Sequence, residues 1–461
     1  MPSLGLSMIV KNEAHTIRAC LESARKFVSQ IVVADTGCTD DTCDIAREFG
    51  ATVVSSPWAD HFAKARNAAL EPIRTDWVLV LDADEELDQQ TARNLPRLFN
   101  AGRVGGYKTP IRNYVKCKSN RGWDRIATAN DGTHLRARSA PAMFVHENCR
   151  IFRRRQDIFF SGRVHELVEP QIAAAGLELG RANFFIHHFG QLESNEEKSE
   201  KGSYYQHLLR LKVEDEPGNP DAWVQLGLQE YEHSKNYDEA LRCFESALKL
   251  EPRAAEAWLF LSMIYVDLGK YHEALNSLQH DSRTGAGVAL REQIRGDALH
   301  GLHQFDAARQ AYLKSMRAGG RDPGLESKLG YVEVKLGKMD SGFARLTHAA
   351  QEVPGMFAIQ DRLMKAYVIT GKLKQAAEVA CAYAPQSTHP RIFLRAASLC
   401  ASAQEWSKCV AILELGLHRF SESSELRQAL DEALVRRGEE RPHSTETKEL
   451  SHASDSASVS R

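Results

Sequence analysis

The sequence predicts an α/β domain with a parallel sheet, followed by an all-α solenoid of helical repeats. Short apolar runs alternate with helical patterns up to residue 190, and after residue 219 small residues recur at a constant spacing. The composition is that of a folded protein, because 43% of the 461 residues are hydrophobic and 26% are charged. A chain of this length has room for more than one hydrophobic core.

The N-terminal domain, residues 1–190, is predicted from its alternation of strands and helices. Apolar runs of about five residues, separated by helical patterns of about a dozen, are typical of βαβ units in a parallel sheet. The predicted strands are 6–10, 31–34, 51–55 and 77–81. The predicted helices are 13–27, one through Ile45 and Phe49, and 62–70.

Polar clusters follow three of these strands. In an open parallel sheet, ligands bind outside the carboxyl ends of the strands, where Lys11–Glu13, Asp35–Asp41 and Asp82–Asp84 lie. Asp82 and Asp84 follow the most hydrophobic strand, and two such carboxylates suit a hard cation such as Mg²⁺ or Mn²⁺. Alone, an Asp-x-Asp triplet is most often a turn, but its position after a buried strand favours a cation site.

The second half of the chain predicts stacked helix–turn–helix units. A small residue where two helices cross lets them approach closely, and each unit covers its apolar face only with its neighbours. We predict a helical linker at 191–218, about six repeats with a closing helix at 219–437, and a disordered polar tail at 438–461. An amphipathic pattern at 204–213 predicts a helix that docks the solenoid to the first domain. The recurring small residues are Ala240, Ala274, Ala308, Gly342, Ala376 and Val410.

Charge and hydropathy exclude several classes of protein. The net charge of −2, from 59 basic and 61 acidic residues, argues against a protein that coats nucleic acid. No run reaches the roughly 18 to 20 apolar residues of a membrane span. The apolar N-terminus is cut short at Lys11, so we expect no signal peptide. The nine cysteines are scattered, and Cys38 and Cys43 lack a second pair to complete a zinc site, so we predict reduced thiols and a cytoplasmic location.

Four blocks of the N-terminal domain resemble the family 2 glycosyltransferases, whose fold is the Rossmann-like, nucleotide-sugar-binding GT-A domain. The resemblance extends to a later signature, similar to bacterial members with a helical repeat tail, including those that glycosylate peptides at cysteine. The four blocks are SMIVKNE (7–13), VADTGCTDDT (33–42), FAKARNAAL (62–70) and WVLVLDADE (77–85), and the later signature comprises 150–153, 160–166 and 188–190.

The resemblance implies a nucleotide-binding role for the first three blocks. Asp35 would contact the uracil or ribose of a UDP-sugar, as would Asn12 and Glu13 after the first strand. Arg66 matches a family arginine near the nucleotide; without the family, it reads equally as a helix-surface residue. Asp82 would lie near the ribose or a bound water.

The resemblance also implies a cation site and a catalytic pair. Asp84 would be the direct ligand of Mg²⁺ or Mn²⁺, with Asp82 beside it, and His188 matches a late histidine that completes the metal and diphosphate site. The alternative for His188 is a capped surface imidazole. An inverting displacement needs a base within hydrogen-bond reach of the acceptor. Glu166 is the candidate base with His165 as its orienting or acceptor-binding partner; alternatively, Glu166 forms an ion pair with Arg163.

The second half resembles the tetratricopeptide repeats, whose period is about 34 residues, most clearly over Trp223–Pro252. The two resemblances together predict a metal-dependent hexosyltransferase that moves a sugar from a UDP-sugar, with glucose or N-acetylglucosamine the frequent donors in the family. Tetratricopeptide grooves hold extended peptides, so we predict a protein or peptide acceptor. One alternative is an interaction scaffold whose first domain binds a nucleotide sugar without turnover. Another keeps the transferase but gives it an envelope-glycan or lipid-linked acceptor, with the repeats serving oligomerisation.

Overall fold

The computed structural model describes residues 2–99, 102–116, 121–122, 125–126, 128–192, 195–281, 287–320 and 322–439. The chain divides into two compact units, Met1–Leu325 and Glu326–Arg461. The first contains the sheet together with the first helices of the repeat region, and the second contains the remaining repeats.

The strands are concentrated in the N-terminal part of the first unit. In the main sheet, each of the first three strands is followed by a helix. The strands are β1 (Leu4–Val10), β2 (Gln30–Asp35), β3 (Thr52–Ser55), β4 (Trp77–Val80), β5 (Glu85–Leu87), β6 (Val104–Val115), β7 (Arg121–Gly122), β8 (Arg125–Ile126), β9 (Thr128–Ala129), β10 (Ala142–Arg153), β11 (Glu178–Arg181) and β12 (Ile186–His188).

The helices of the N-terminal part lie between and after these strands. The helices up to the first repeat are α1 (Ile17–Ala24), α2 (Thr42–Glu48), α3 (Phe62–Leu70), α4 (Leu95–Leu98), α5 (Glu169–Ala174) and α6 (Asn195–Asp215). The helices of the repeats are α7 (Pro220–Gln229), α8 (Tyr237–Leu250), α9 (Ala255–Asp267), α10 (Tyr271–His280), α11 (Gly287–Gly301), α12 (Phe305–Arg317), α13 (Pro323–Lys335), α14 (Met339–Glu352), α15 (Phe357–Ile369), α16 (Leu373–Tyr383), α17 (Pro390–Ser402), α18 (Trp406–Arg419) and α19 (Ser424–Glu439).

The main sheet has the strand order β3-β2-β1-β4-β10-β6-β12-β5. Its first four strands are parallel, with β1 hydrogen-bonded to β2 on one side and β4 on the other. The long strands β10 and β6 then pair in antiparallel fashion, and β12 runs parallel to β6. This arrangement brings β12, which ends at His188, to the part of the sheet that also holds β5.

Apolar cores cover both faces of the parallel strands. In β4 and the residue after it, Leu79 and Leu81 belong to one core, while Val78 and Val80 belong to the other. Successive side chains of a strand point to opposite faces, so a strand that is buried on both faces is apolar at every position. The run Trp77–Leu81 is apolar at every position because the fold buries both of its faces.

The repeat region consists of helix pairs, as the sequence predicts. The second helices of five pairs begin at a constant spacing, at Tyr237, Tyr271, Phe305, Met339 and Leu373. The last begins at Trp406, one position earlier than this spacing predicts. The small residues of the repeat, such as Ala240 and Ala274, are fully buried at the fourth position of these helices. The predicted fold class, an α/β domain followed by a helical solenoid, is confirmed.

The compact units do not divide where the predicted domains do. The predicted boundary follows residue 190, whereas the first unit extends to Leu325. The reason is packing, because α6 and the start of the repeats share a core with the N-terminal domain around Val164. The predicted helix at 204–213 lies inside α6. Of the tail predicted at 438–461, the first two residues belong to α19, and the rest lies outside the described residues.

Within the part of the chain that the structure describes, none of the helices combines the length and the apolar composition that crossing a bilayer requires. The cytoplasmic location stays a prediction.

Candidate functional site

The three predicted polar clusters lie at one edge of the sheet. Strands β2, β1 and β4 are neighbours and run parallel, so their carboxyl ends lie at the same edge. Adjacent strands are about 4.8 Å apart, which places the ends of β2 and β4 roughly 10 Å from each other, with the end of β1 between them. This separation suits a ligand the size of a nucleoside diphosphate that contacts both ends.

The loops after β1 and β2 are joined to each other by hydrogen bonds. Asn12 adopts the left-handed backbone conformation, with φ 58°. Its side-chain Oδ1 accepts a hydrogen bond from the backbone N–H of Thr39 at 2.8 Å. The backbone N–H of Glu13 donates to Thr42 Oγ1 at 2.7 Å. The loops that carry Asn12 and Glu13 on one side and Asp35 on the other therefore form one connected surface.

Asp35 is held in its ionised form by the loop that follows it. Its Oδ1 accepts hydrogen bonds from the backbone N–H groups of Gly37, at 2.9 Å, and Cys38, at 2.7 Å. Burial alone would raise the pKa of Asp35, but these backbone hydrogen bonds outweigh it and the pKa lies below its usual value. Gly37 has φ 116°, which other residues rarely adopt, and this turn directs both N–H groups at the carboxylate.

Asp82 is the centre of a charged network. Its Oδ1 contacts Arg66 Nη2 at 2.6 Å, and its Oδ2 contacts Arg150 Nη2 at 3.0 Å. Burial would raise the pKa of Asp82, but the two guanidinium groups hold it well below its usual range. Both oxygens of Asp82 are thus engaged by cationic side chains, and its place among the predicted metal ligands stays a prediction.

Arg66 bridges two of the predicted site residues. It is 6% exposed, so the alternative that it is a helix-surface residue is wrong. Its Nε donates to Glu166 Oε1 at 2.6 Å while its Nη2 contacts Asp82. Its remaining nitrogen, Nη1, is buried and has no hydrogen-bond partner among the described residues. Glu166 pairs with Arg66 and not with Arg163, which contacts Asp215 at 2.7 Å.

Asp84 and His188 are 104 positions apart in sequence and contact each other in the fold. His188 Nε2 lies 3.1 Å from Asp84 Oδ2, and His188 Nδ1 lies 2.7 Å from Asn113 Oδ1. Burial would lower the pKa of His188, but the hydrogen bond and charge of Asp84 raise it to about 9. His188 is therefore not a capped surface imidazole.

Gly190 lies directly against this pair. A Cβ atom at Gly190 would lie 2.5 Å from Asp84 Oδ2 and 2.9 Å from His188 Nε2, closer than side-chain atoms tolerate. Asn113 Oδ1 accepts from His188 Nδ1–H, so Nε2 is the nitrogen that can give up its proton and offer a lone pair. A carboxylate oxygen and an imidazole nitrogen that face a glycine fit a divalent cation, with the tautomer fixed by a side-chain partner.

The N-terminal part of the chain matches a known family. Residues 6–159 match the model of glycosyl transferase family 2, and residues 224–279 match the model of the tetratricopeptide repeat. The chain contains a family 2 glycosyltransferase domain followed by tetratricopeptide repeats.

The chain is similar both to a protein named for its TPR repeats and to proteins named as glycosyltransferases. A TPR repeat-containing protein of Synechococcus elongatus is 25% identical over 399 residues, covering 76% of this chain and 92% of that protein. An uncharacterized glycosyltransferase of Rickettsia felis is 33% identical over 99 residues, covering 22% of this chain and 35% of that protein. The SPbeta prophage-derived glycosyltransferase SunS of Bacillus subtilis is 24% identical over 222 residues, covering 48% of this chain and 47% of SunS. The chain thus spans about a third to a half of the length of these two glycosyltransferases.

Helix α6, which follows the family 2 domain, contacts the segment that carries His165 and Glu166. Lys212 Nζ donates to the backbone carbonyl of Val164 at 2.9 Å and to Gln225 Oε1 at 3.1 Å. The backbone N–H of Phe62, the first residue of α3, donates to the carbonyl of Arg163 at 2.8 Å. The segment that carries His165 and Glu166 is thus held from two sides, by α3 and by α6.

Two aromatic side chains also contact this segment. The rings of Tyr205, on α6, and Phe62 stack with centroids 6.0 Å apart, and the ring of His165 lies edge-on 6.4 Å from Tyr205. Burial, together with the negative charges of Glu166 and Asp82, raises the pKa of Tyr205 to about 12. Burial and the positive charge of Lys212 lower the pKa of His165 to about 4, so its ring is neutral at pH 7.

Sequence reasoning missed several residues that contact the predicted site residues. Glu85 is buried, with Oε1 2.7 Å from Arg150 Nη2 and Oε2 accepting from the backbone N–H of Asp82 at 2.9 Å. Burial raises the pKa of Glu85 to about 7, although Arg150 opposes this. Asn113 and Lys212 gave no signal, because each acts on a residue far away in sequence. Glu85 and Arg150 do lie inside motif blocks, and their position there was the available signal.

Proposed function

We propose that this chain transfers a hexosyl group from a UDP-sugar to an acceptor, with inversion of configuration and with Mg²⁺ or Mn²⁺ bound. The observation that carries the proposal is the placement of Asp35 and the Asp84–His188 pair at one edge of the sheet of a family 2 domain. Glucose and N-acetylglucosamine are the donors that we would test first.

The nucleoside of the donor would lie against the loops after β1 and β2. Asp35 is ionised, and its Oδ1 is taken by backbone N–H groups, so Oδ2 is the oxygen that would accept from the uracil N–H or a ribose hydroxyl. Asn12 and Glu13 lie in the loop that is hydrogen-bonded to the same surface. Asp82 borders this surface from the end of β4, fixed by Arg66 and Arg150.

The diphosphate would lie beside Asp84 and His188, which would hold the divalent cation through Oδ2 and Nε2. A bound divalent cation acts as a Lewis acid that stabilises the charge of the departing diphosphate. The hydrogen bond between His188 Nδ1 and Asn113 orients the ring for this contact. The buried Arg66 Nη1 is a further donor, beside Asp82.

The acceptor would approach from the side of Glu166 and His165. Glu166 would take the proton of the acceptor as its nucleophilic atom forms a bond to the anomeric carbon and the bond to the diphosphate breaks. Arg66 occupies Glu166 Oε1, which leaves Oε2 as the proton acceptor in this proposal. The neutral ring of His165, held against Tyr205, would contact the acceptor.

The acceptor is a protein or peptide in this proposal, bound by the repeats. A solenoid of helix pairs presents an extended concave surface, which is the shape that an extended peptide requires. The alternative acceptors are an envelope glycan or a lipid-linked molecule, with the repeats serving oligomerisation.

Release of UDP from a UDP-sugar mixture with Mn²⁺ tests the proposed function. We expect turnover in the wild-type protein, its loss with a chelator, and a fall of at least about 100-fold in the Asp84→Asn variant, because a direct cation ligand is removed. Asp157→Asn, at an exposed carboxylate that pairs only with Arg155 among the described residues, is the matched control and should retain turnover.

The outcomes separate the candidate functions. Equal turnover in Asp84→Asn and wild type would overturn the assigned cation site. Binding of UDP-sugar without turnover of any of the common donors, together with peptide binding by the repeats, would favour the interaction scaffold.

A further inference from the structure

The loop after β2 brings three potential metal ligands together. One oxygen of Asp35, Cys38 Sγ and Cys43 Sγ all lie within 4.8 Å of one another. All three side chains are partly exposed, and both cysteines are free thiols. Both sulfurs thus already lie beside the Asp35 carboxylate. The sequence alone showed only two cysteines without a second pair; the fold supplies the carboxylate as a third ligand.

The loop is fixed in the conformation that brings these atoms together. The hydrogen bonds from Gly37 and Cys38 orient the Asp35 carboxylate. Cys38 Sγ accepts a hydrogen bond from the backbone N–H of Asn12 at 3.4 Å, which fixes the position of the sulfur. A cation would therefore need only small movements, since ligand atoms around a tetrahedral Zn²⁺ lie about 3.5 to 3.8 Å apart.

The chemistry of the ligands selects the cation. Thiolates prefer soft or borderline ions such as Zn²⁺ and Cd²⁺, whereas Mg²⁺ and Mn²⁺ prefer oxygen ligands, such as those expected at Asp84. Three protein ligands leave a fourth tetrahedral position open to water. We propose that Asp35, Cys38 and Cys43 bind one thiophilic divalent cation, and that the bound ion blocks the donor nucleotide from Asp35. The blocking of the nucleotide rests on the proposed function, because it takes Asp35 as a nucleotide contact.

Binding has a proton balance that can be measured. Burial raises the pKa of the Cys38 thiol to about 12 and that of Cys43 above its usual value, so both are protonated at pH 7. Each sulfur forms its bond to the cation as its proton leaves to the solvent. Asp35 is already ionised and releases none. Two protons should therefore leave for each ion that binds at this site.

Cd²⁺ titration of the reduced full-length protein tests the site, with a phosphine as the reductant so that no added thiol competes. We expect binding in the micromolar range or tighter, with Cd–thiolate absorption in the ultraviolet and release of two protons, measured by calorimetry in two buffers. Cys38→Ser and Cys43→Ser should each weaken this site at least about 100-fold, and Asp35→Asn at least about 10-fold. Cys381→Ser is the matched control, because Cys381 and Cys400 form the other close thiol pair among the described residues, with sulfurs 3.4 Å apart.

Two results would overturn the site. One is the absence of binding tighter than the millimolar range. The other is the same affinity and thiolate absorption in Cys38→Ser and Cys43→Ser as in the wild type, which would place the ligands elsewhere.

UDP binding, measured with and without one equivalent of Cd²⁺, tests the blocking of the nucleotide. We expect at least about tenfold weaker binding in the presence of the ion, restored in Cys43→Ser. Unchanged UDP affinity in a protein that binds both would overturn the blocking and leave the ion site standing. A protein that binds Cd²⁺ as expected but no UDP would contradict the proposed function instead, so the two failures are distinguishable.

Discussion

At the scale of single residues, Gly190 is the position where any side chain would collide with Asp84 and His188. The two ligand atoms face its Cα, at the point where any side chain would begin. A glycine here has no role in backbone conformation that the structure shows, since its φ is not in the left-handed region. Its lack of a side chain is what lets both side chains pack against the backbone at this point.

We predict that Gly190→Ala weakens the affinity for the divalent cation without unfolding the protein. The new methyl group would displace Asp84 Oδ2 or His188 Nε2, so the half-saturating Mn²⁺ concentration should rise at least about tenfold. Gly102→Ala is the control, because a Cβ there meets no atom within 4 Å. An unchanged Mn²⁺ requirement in Gly190→Ala would show that the pair does not hold the cation.

His165 makes the stability of the first unit sensitive to acid. The pKa of His165 in the folded protein is lowered to about 4 by burial, below the value of about 6.5 expected in the unfolded chain. The stabilising effect of the neutral ring is thus fully present above pH 6.5 and is lost as the pH falls through the folded pKa, because the unfolded chain takes up the proton first. His165 also has φ 54°, a conformation that asparagine tolerates better than most residues.

We predict that His165→Asn removes part of this acid sensitivity. Between about pH 7.5 and pH 4.5, the wild type should lose about 1 to 3 kcal/mol more of its unfolding free energy than the variant, measured by urea denaturation at each pH. His15→Asn, at an exposed histidine, serves as the control. Parallel pH profiles for wild type and His165→Asn would contradict the buried, neutral state of the ring.

The sequence indicated which residues lie at the site, but it did not indicate which residues they contact. The blocks located Asp35, Arg66, Asp82 and Asp84 at the strand ends and on α3. Nothing in the sequence indicates that Arg66 pairs with the distant Glu166, because local pattern shows which face a residue occupies and not what meets it. The same applies to Asn113, whose value lies in its contact with His188.

At the scale of elements, α6 connects the repeats to the chemistry of the first domain. It provides Lys212 to the carbonyl of Val164, Tyr205 to the ring of His165, and Asp215 to Arg163. Leu208 and Leu209 pack into a core that also contains Val164. The helix that the sequence predicts as docking the solenoid to the first domain thereby also helps to position the segment with Glu166.

We predict that Lys212→Met lowers both the turnover number and stability. Lys212 is 5% exposed, and its loss leaves the carbonyl of Val164 buried without its donor, which costs about 1 to 3 kcal/mol. Because the segment with Glu166 loses a support, kcat should fall more than KM for the donor changes. Lys249→Met, at an exposed lysine of α8, is the control. A loss of stability with unchanged kcat would show that α6 has no part in positioning Glu166.

Elements with strong local signals were predicted and others were not. Helix α3 lies where it was predicted, and the His61 side chain caps its start by accepting from the backbone N–H of Lys64. Helix α1 begins at Ile17 and not at residue 13, because the preceding residues form the loop that bonds to Thr39 and Thr42. Strand β6 was missed because two buried positions of its alternation, Thr109 and Asn113, are polar. Strand β10 was missed because buried positions do not alternate regularly along it.

At the scale of the whole molecule, the division into compact units differs from the division in sequence. The change from α/β to repeat pattern lies near residue 190, but the first unit continues to Leu325. Periodicity reports the type of each element, and packing decides which elements form one unit. The first unit therefore contains both the proposed catalytic site and the beginning of the proposed acceptor-binding solenoid.

The central claim is that the loop with Asp35 and the Asp84–His188 pair serve one nucleotide together with one divalent cation. Calorimetric titration of UDP, with and without Mn²⁺, tests it in the wild type, in Asp35→Asn and in Asp84→Asn. We predict that Mn²⁺ strengthens UDP binding at least about tenfold in the wild type, that Asp84→Asn loses this gain, and that Asp35→Asn weakens UDP binding in both conditions. A wild-type protein that binds no UDP, or an Mn²⁺ effect that is unchanged in Asp84→Asn, would contradict the claim.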